Sequence, residues 1–137
     1  MSEDYKRIVR RVYDEVIGQG KLEVADEIVA AGCVDHEMPG VQGPDALKQV
    51  TAMFRSAFPD FKMTMDDAIV DGNQIAVRFT ATGTHQGEFA GVPATGKSIS
   101  FGGIDVLRFE NGMVMEHWGY SDQMGLMQQI GVVMPAQ

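Results

Sequence analysis

The chain has 137 residues, 45% of them hydrophobic and 22% charged, the balance of an ordinary globular protein with room for one core and an internal pocket. Nineteen acidic against eleven basic side chains leave a formal charge of −8. That charge repels a phosphate backbone, and with no basic run to offset it nucleic acid is excluded as the expected partner. The acidic start Met1-Ser2-Glu3-Asp4 and the lack of a long apolar run predict no signal peptide and no membrane span, hence a cytoplasmic protein.

Tyr5, Ile8, Val9, Val12, Tyr13, Val16 and Ile17 recur at helical spacing ahead of Gly18 and Gly20 and predict a first helix. A shorter helix is expected from Leu22 to Ala30, stopped by Gly32, followed by an extended piece from Cys33 to Glu37. Past Gly43-Pro44, a third helix carries Leu47, Val50, Thr51, Phe54 and Phe58 on one face until Pro59. The pattern then changes to four strands, Phe61–Val70, Gln74–Thr84, Lys97–Phe109 and Met113–Ser121, with turns at Asp71-Gly72-Asn73 and Asn111-Gly112. Helices first and strands after predict one α+β domain over residues 1–137, with helices covering one face of a curved antiparallel meander.

Candidate chemistry starts from the third of these strands. Ile99, Phe101, Gly103, Asp105, Leu107 and Phe109 alternate onto one side, which sets a carboxylate in an apolar row. An apolar setting tunes a carboxyl group toward proton exchange near neutral pH, and such groups collect at functional sites. Ile104 and Val106 make the other side apolar too, so a bulge would turn Asp105 to water; burial of the row of large side chains favours the pocket.

His36, His85 and His117 are the side chains that titrate near neutrality unaided, and each is a candidate base as well as a candidate structural residue. In Asp35-His36-Glu37, strand alternation turns His36 away from both acids, and no ligand pair has helix or zinc-loop spacing, so no metal is expected. Cys33 is the single cysteine and reads as a small buried hydrophobe. Gly91-Val92-Pro93-Ala94-Thr95-Gly96-Lys97-Ser98 matches a phosphate-loop pattern, but the residues after it continue as a strand and not as the helix that such a loop needs. Ten methionines, Met63 and Met65 among them, suit an irregular apolar interior.

Nearly the whole chain resembles the SnoaL-like polyketide cyclase family, within the superfamily of cone-shaped folds that also holds ketosteroid isomerases and nuclear transport factor 2-like proteins. The residues that carry the resemblance are Val34-Asp35-His36 with Pro39-Gly40 and Gly43-Pro44, Ala57-Phe58-Pro59-Asp60, Gly83 to Phe89 with Gly91-Val92-Pro93 and Thr95-Gly96-Lys97, and Gly103-Ile104-Asp105 with Arg108-Phe109 and Glu116-His117-Trp118. The resemblance implies a cone-shaped curved sheet wrapped around three N-terminal helices, an internal apolar pocket, a homodimer and cofactor-free chemistry on a small apolar or aromatic carbonyl compound. It implies an isomerase-like role for Asp105 and a hydrogen-bonding role for Tyr13, and sets His36 near a catalytic base, with His117 and Asp122 as the fallback pair. Just after Trp118 the chain has Gly119 where the resemblance leads one to look for a carboxylate, with Asp122 three residues on. Trp118, Phe54, Met63, Phe101 and His85 are the expected substrate contacts.

The leading expectation is therefore cyclase or isomerase chemistry, an aldol closure or enolisation beside a carbonyl. A module that only binds an apolar ligand is the alternative. An epoxide hydrolase-like site is the third, and it requires Arg78 or Arg108 to point inward.

Overall fold

The computed structural model describes residues 2–132, so the ends of the expected 1–137 domain, Met1 and residues 133–137, lie outside the described residues. The first helix, α1 (Ser2–Arg11), has Glu3 and Asp4 in its first turn and Arg10 and Arg11 in its last, complementing the helix dipole. It continues as a π-helical stretch, Val12–Ile17, in which Gly18 N–H reaches the carbonyl of Tyr13. The wider turn brings Val12, Tyr13, Val16 and Ile17 all into the core.

The second helix is shorter than its sequence predicts. A single 3₁₀ turn, Leu22–Val24, leads into α2 (Ala25–Ile28), and Val29 already begins β1 (Val29–Asp35), so Gly32 lies inside a strand and stops no helix. Val29 and Ala30 are β-favouring or neutral residues whose burial against the sheet outweighs the helical spacing. α3 (Pro44–Ala57) has proline in its first turn and follows Gly43, whose φ of +71° only glycine adopts freely.

β2 (Lys62–Asp71), β3 (Gln74–Thr84), β4 (Ser98–Glu110) and β5 (Met113–Ser121) form the antiparallel meander, joined in the order β1-β5-β4-β3-β2. The sheet is not purely antiparallel, because β1 pairs in parallel with β5, the connection from β1 to the meander running through α3. Ser98 opens β4 directly after the Gly91–Lys97 loop, so no helix follows the phosphate-loop-like segment. The segment after β5, where the sequence pattern predicts no element, contains a last helix, α4 (Gln123–Gln129), which packs Leu126 into the core. No helix among the described residues is long and apolar enough to cross a membrane.

One irregularity in β5 decides which side chains face the helices. Phe109 pairs with Val114, but Arg108 pairs with Glu116, so Met115 is an extra residue and the alternation of β5 reverses there. Val114 points inward before the bulge; after it His117 and Gly119 face the side on which Asp105 lies, and Trp118 is turned to the other.

Candidate active site

A cavity lies between the helices and the sheet. Leu47, Val50 and Phe54 of α3, Phe61, Met63 of β2, Phe79 of β3 and Phe101 and Leu107 of β4 give it an apolar lining, while Asp35, Glu37, Asp105 and His117 gather at one wall. Phe54 stacks on Phe61 at 4.8 Å, part of an aromatic group with Phe58, Phe89 and Phe101 that stiffens the apolar end.

The polar wall is a chain of hydrogen bonds. Tyr13 donates to Asp105 Oδ2 at 2.6 Å, His117 Nε2 lies 2.9 Å from Asp105 Oδ1, His117 Nδ1 lies 3.0 Å from Asp35 Oδ1, and Glu37 N–H donates to that same oxygen at 2.9 Å. Asp105 and Asp35 are each only 9% exposed. Burial opposes the charge on His117, but the hydrogen bonds and charges of Asp105 and Asp35 override it and push the imidazole up to about 10. At neutral pH it is therefore an imidazolium donating from both nitrogens. Burial works against ionisation of Asp35 as well, yet the His117 hydrogen bond and charge, with the backbone amides of Glu37 and Met38, hold its carboxyl below the usual value.

Glu37 differs from its neighbours. It lines the cavity while its side chain is also exposed to solvent, and no hydrogen bond to its carboxylate occurs among the described residues. Burial first, then the charges of Asp105 and Asp35 working against the attraction of His117, raise its carboxyl above the ordinary value.

Asp35, Glu37 and His117 also bring one potential ligand atom each within 4.8 Å of one another. A cation there requires a neutral imidazole with a free lone pair, whereas both nitrogens of His117 face carboxylates that favour its protonated form. His117 and its two carboxylates thus form an ion-paired wall, and a cation bound there would have to displace the proton that His117 shares with them.

The sequence-derived candidates separate into those at this wall and those away from it. Asp105 and His117 line the cavity, as do Phe54, Met63 and Phe101. Tyr13 is 4% exposed and reaches the wall only through Asp105, so its phenol is committed to that carboxylate and not to a ligand oxygen. His36 is on the far side of the sheet, bonded to Glu116 at 2.7 Å and stacked on Trp118 at 4.9 Å. Trp118 accordingly lies outside the cavity, turned there by the Met115 bulge. His85 is fully buried beside Phe58 and bonded to Thr95, where it ties down the loop before β4; it does not line the cavity. Asp122 caps α4 by accepting from Gly125 N–H and is exposed, which leaves it no part in the pocket. Arg78 pairs with Asp67, and Arg108 with Glu110 and Glu116, on exposed or half-exposed surface, so neither arginine can complete an epoxide hydrolase-like arrangement. Cys33 is 2% exposed and its thiol is pushed up to about 11, first by burial and then by Asp35, which suits a wall residue and not a nucleophile.

Asp35 and Glu37 were not among the candidates. Their signal was the alternation in Asp35-His36-Glu37, which sets the two acids on the side away from His36.

Comparison with known proteins places this geometry in a family. Aklanonic acid methyl ester cyclase DauD from Streptomyces sp. (strain C5) is 25% identical over 134 residues, covering 93% of this chain and 82% of that protein. Aklanonic acid methyl ester cyclase DnrD from Streptomyces peucetius is 27% identical over 134 residues, covering 93% and 91%. The structure of TsrD from Streptomyces laurentii superposes with a TM-score of 0.88 at 25% identity, over 96% of this chain and 97% of that one. The family model for SnoaL-like polyketide cyclase matches residues 7–130, and the chain belongs to that family.

Proposed function

We propose that this protein is a cofactor-independent enzyme that removes a proton beside a carbonyl of a small aromatic, polyketide-like substrate and closes a ring by intramolecular aldol addition. The observation that carries this reading is the hydrogen-bonded chain Tyr13–Asp105–His117–Asp35 set into one wall of an otherwise apolar cavity.

The apolar end holds the rings of the substrate and excludes water from them. At the polar wall a carboxylate takes the proton from the carbon next to the carbonyl, and the C–H electron pair moves to the carbonyl oxygen as an enolate. The His117 imidazolium, held in place by two carboxylates, offers fixed positive charge to that enolate in surroundings of low dielectric. The enolate carbon then attacks a second carbonyl of the same molecule, a C–C bond forms, and the proton returns to the new alkoxide. The product is an isomer of the substrate, so no oxidant or second substrate enters.

Aklanonic acid methyl ester, the compound named in both curated relatives, is the first substrate to try. Incubated with the purified protein in excess EDTA, it should give a product of unchanged mass and shifted retention faster than buffer does. No acceleration over buffer, with this ester or in α-deuterium exchange of a simple aryl-fused ketone such as 2-tetralone, would refute the reading.

A further inference from the structure

Gly119 is the cross-strand partner of Asp105, and after the Met115 bulge it faces the same side as His117. A side chain at this position would point into the polar wall. A Cβ built on Gly119 would lie 3.0 Å from Asp105 Oδ1, 3.1 Å from Glu37 Oε2 and 3.1 Å from His117 Cε1. The space that a β5 side chain would fill is thus crowded by Asp105 and His117 from the sheet and by the carboxylate of Glu37, arriving from the turn after β1.

We infer that Glu37, reaching across the opening left by Gly119, is the general base of this pocket. The inference rests on the proton chemistry proposed above and assigns its acceptor. Both oxygens of Asp105 already accept hydrogen bonds, one from Tyr13 and one from His117, and Asp35 Oδ1 accepts from His117 and from Glu37 N–H. Proton uptake at either aspartate would cost it its ion pair with His117. Glu37 carries no such bond among the described residues, and its raised carboxyl makes its ionised form a stronger base than an ordinary glutamate. The groups that face it are Asp105 from β4, Asp35 from β1, His117 from β5 and Tyr13 from the first helix. Lining the cavity and exposed to solvent at once, it can pass a captured proton to the alkoxide of the product or exchange it with water.

In the aldol closure, Glu37 takes the proton as the C–H bond breaks and is neutral while the enolate attacks. It then gives that proton to the alkoxide oxygen formed with the new C–C bond. The glutamate ends each turnover ionised, as it began.

The test compares Glu37→Gln, Glu37→Ala and Gly119→Asp on aklanonic acid methyl ester. Glu37→Gln is expected to lower kcat by about 10²–10⁴-fold with little change in KM, and to abolish the rise of kcat with pH on the acid side. Gly119→Asp should be poor, because its side chain meets Glu37 and Asp105 at the distances above. A Glu37→Gln variant within threefold of the parent kcat, in a parent enzyme that does turn over, would overturn the assignment to Glu37 and leave the proton chemistry standing. A parent enzyme inert toward both the ester and 2-tetralone would overturn the chemistry and this assignment together.

Discussion

Tyr13 Oη stands 2.6 Å from Asp105 Oδ2, so the π-helical turn after α1 is tied to the middle of β4 by one buried hydrogen bond. Burial first, then the charge of Asp105, raise the phenol far above its ordinary value, and it stays a donor throughout the working pH range. Tyr13→Phe leaves the edge-on contact with Phe79 but removes the donor. The expected result is a loss of about 1.5–3 kcal/mol in a urea melt, the range for hydrogen bonds to charged groups. Because Tyr13 positions Asp105 and does not line the cavity, kcat should fall while KM stays close to that of the parent. An unchanged kcat beside a lowered melt would reduce Tyr13 to a purely structural part.

His117 sets the alkaline limit of stability. Its folded value of about 10 is raised above the ordinary 6.5, so the stabilisation it brings is fully present below pH 6.5 and is lost as pH rises through about 10. Asp35 sets the opposite limit: its carboxyl is lowered, so its contribution is present above the ordinary 3.8 and is lost as pH falls through the folded value. Thermal melts from pH 3 to 11 should show stability falling toward both ends of the range. His117→Gln should remove most of the alkaline flank and cost about 3–5 kcal/mol at neutral pH, since it leaves two buried carboxylates without their cation. A parent melting temperature that does not fall between pH 8 and 11 would contradict the imidazolium assignment.

Glu37 carries the reverse sign. A carboxyl with a raised folded value favours the protonated folded state, so the protein loses stability as pH rises from 4.5 through that value. Glu37→Gln abolishes this cost. The variant should melt higher than the parent at pH 8 and coincide with it near pH 3.5, where the parent glutamate is protonated. A gain in stability paired with a loss of turnover is what a group held for catalysis produces.

How far the site could be read in advance depended on the regularity of each strand. β4 is a long ladder with neighbours on both sides, so strict alternation carried Ile99, Phe101, Asp105, Leu107 and Phe109 to the buried face. β5 alternates only up to Met115; the bulge there exchanges the faces of His117 and Trp118, and nothing in Met113-Val114-Met115-Glu116 marks it. That exchange turns Trp118, which the resemblance led one to expect in the pocket, to the far side with His36. β1 escaped notice over Val29 and Ala30 because its burial does not alternate there, and its parallel pairing with β5 depends on contacts more than eighty residues apart. Without that pairing Asp35 has no visible relation to His117, and the four-membered chain reduces to an aspartate in an apolar row.

Asp105 separates an enzyme from a pocket that only binds. Asp105→Asn keeps the shape of the side chain, and its amide still meets Tyr13 and His117, but the negative charge that holds the imidazolium is gone. The His117 value should then drop toward its ordinary 6.5, and the positive charge available to an enolate at pH 8 should drop with it. The apolar lining of Phe54, Met63 and Phe101 is untouched, so the affinity for the ester or for an inert aromatic of similar size should change by no more than about threefold, measured by calorimetry. Turnover of the ester should fall by about a hundredfold or more, within the range set by loss of a positioned electrostatic partner. Equal losses of affinity and rate would mean that Asp105 contacts the ground-state ligand directly, and intact turnover would move the chemistry away from this wall altogether.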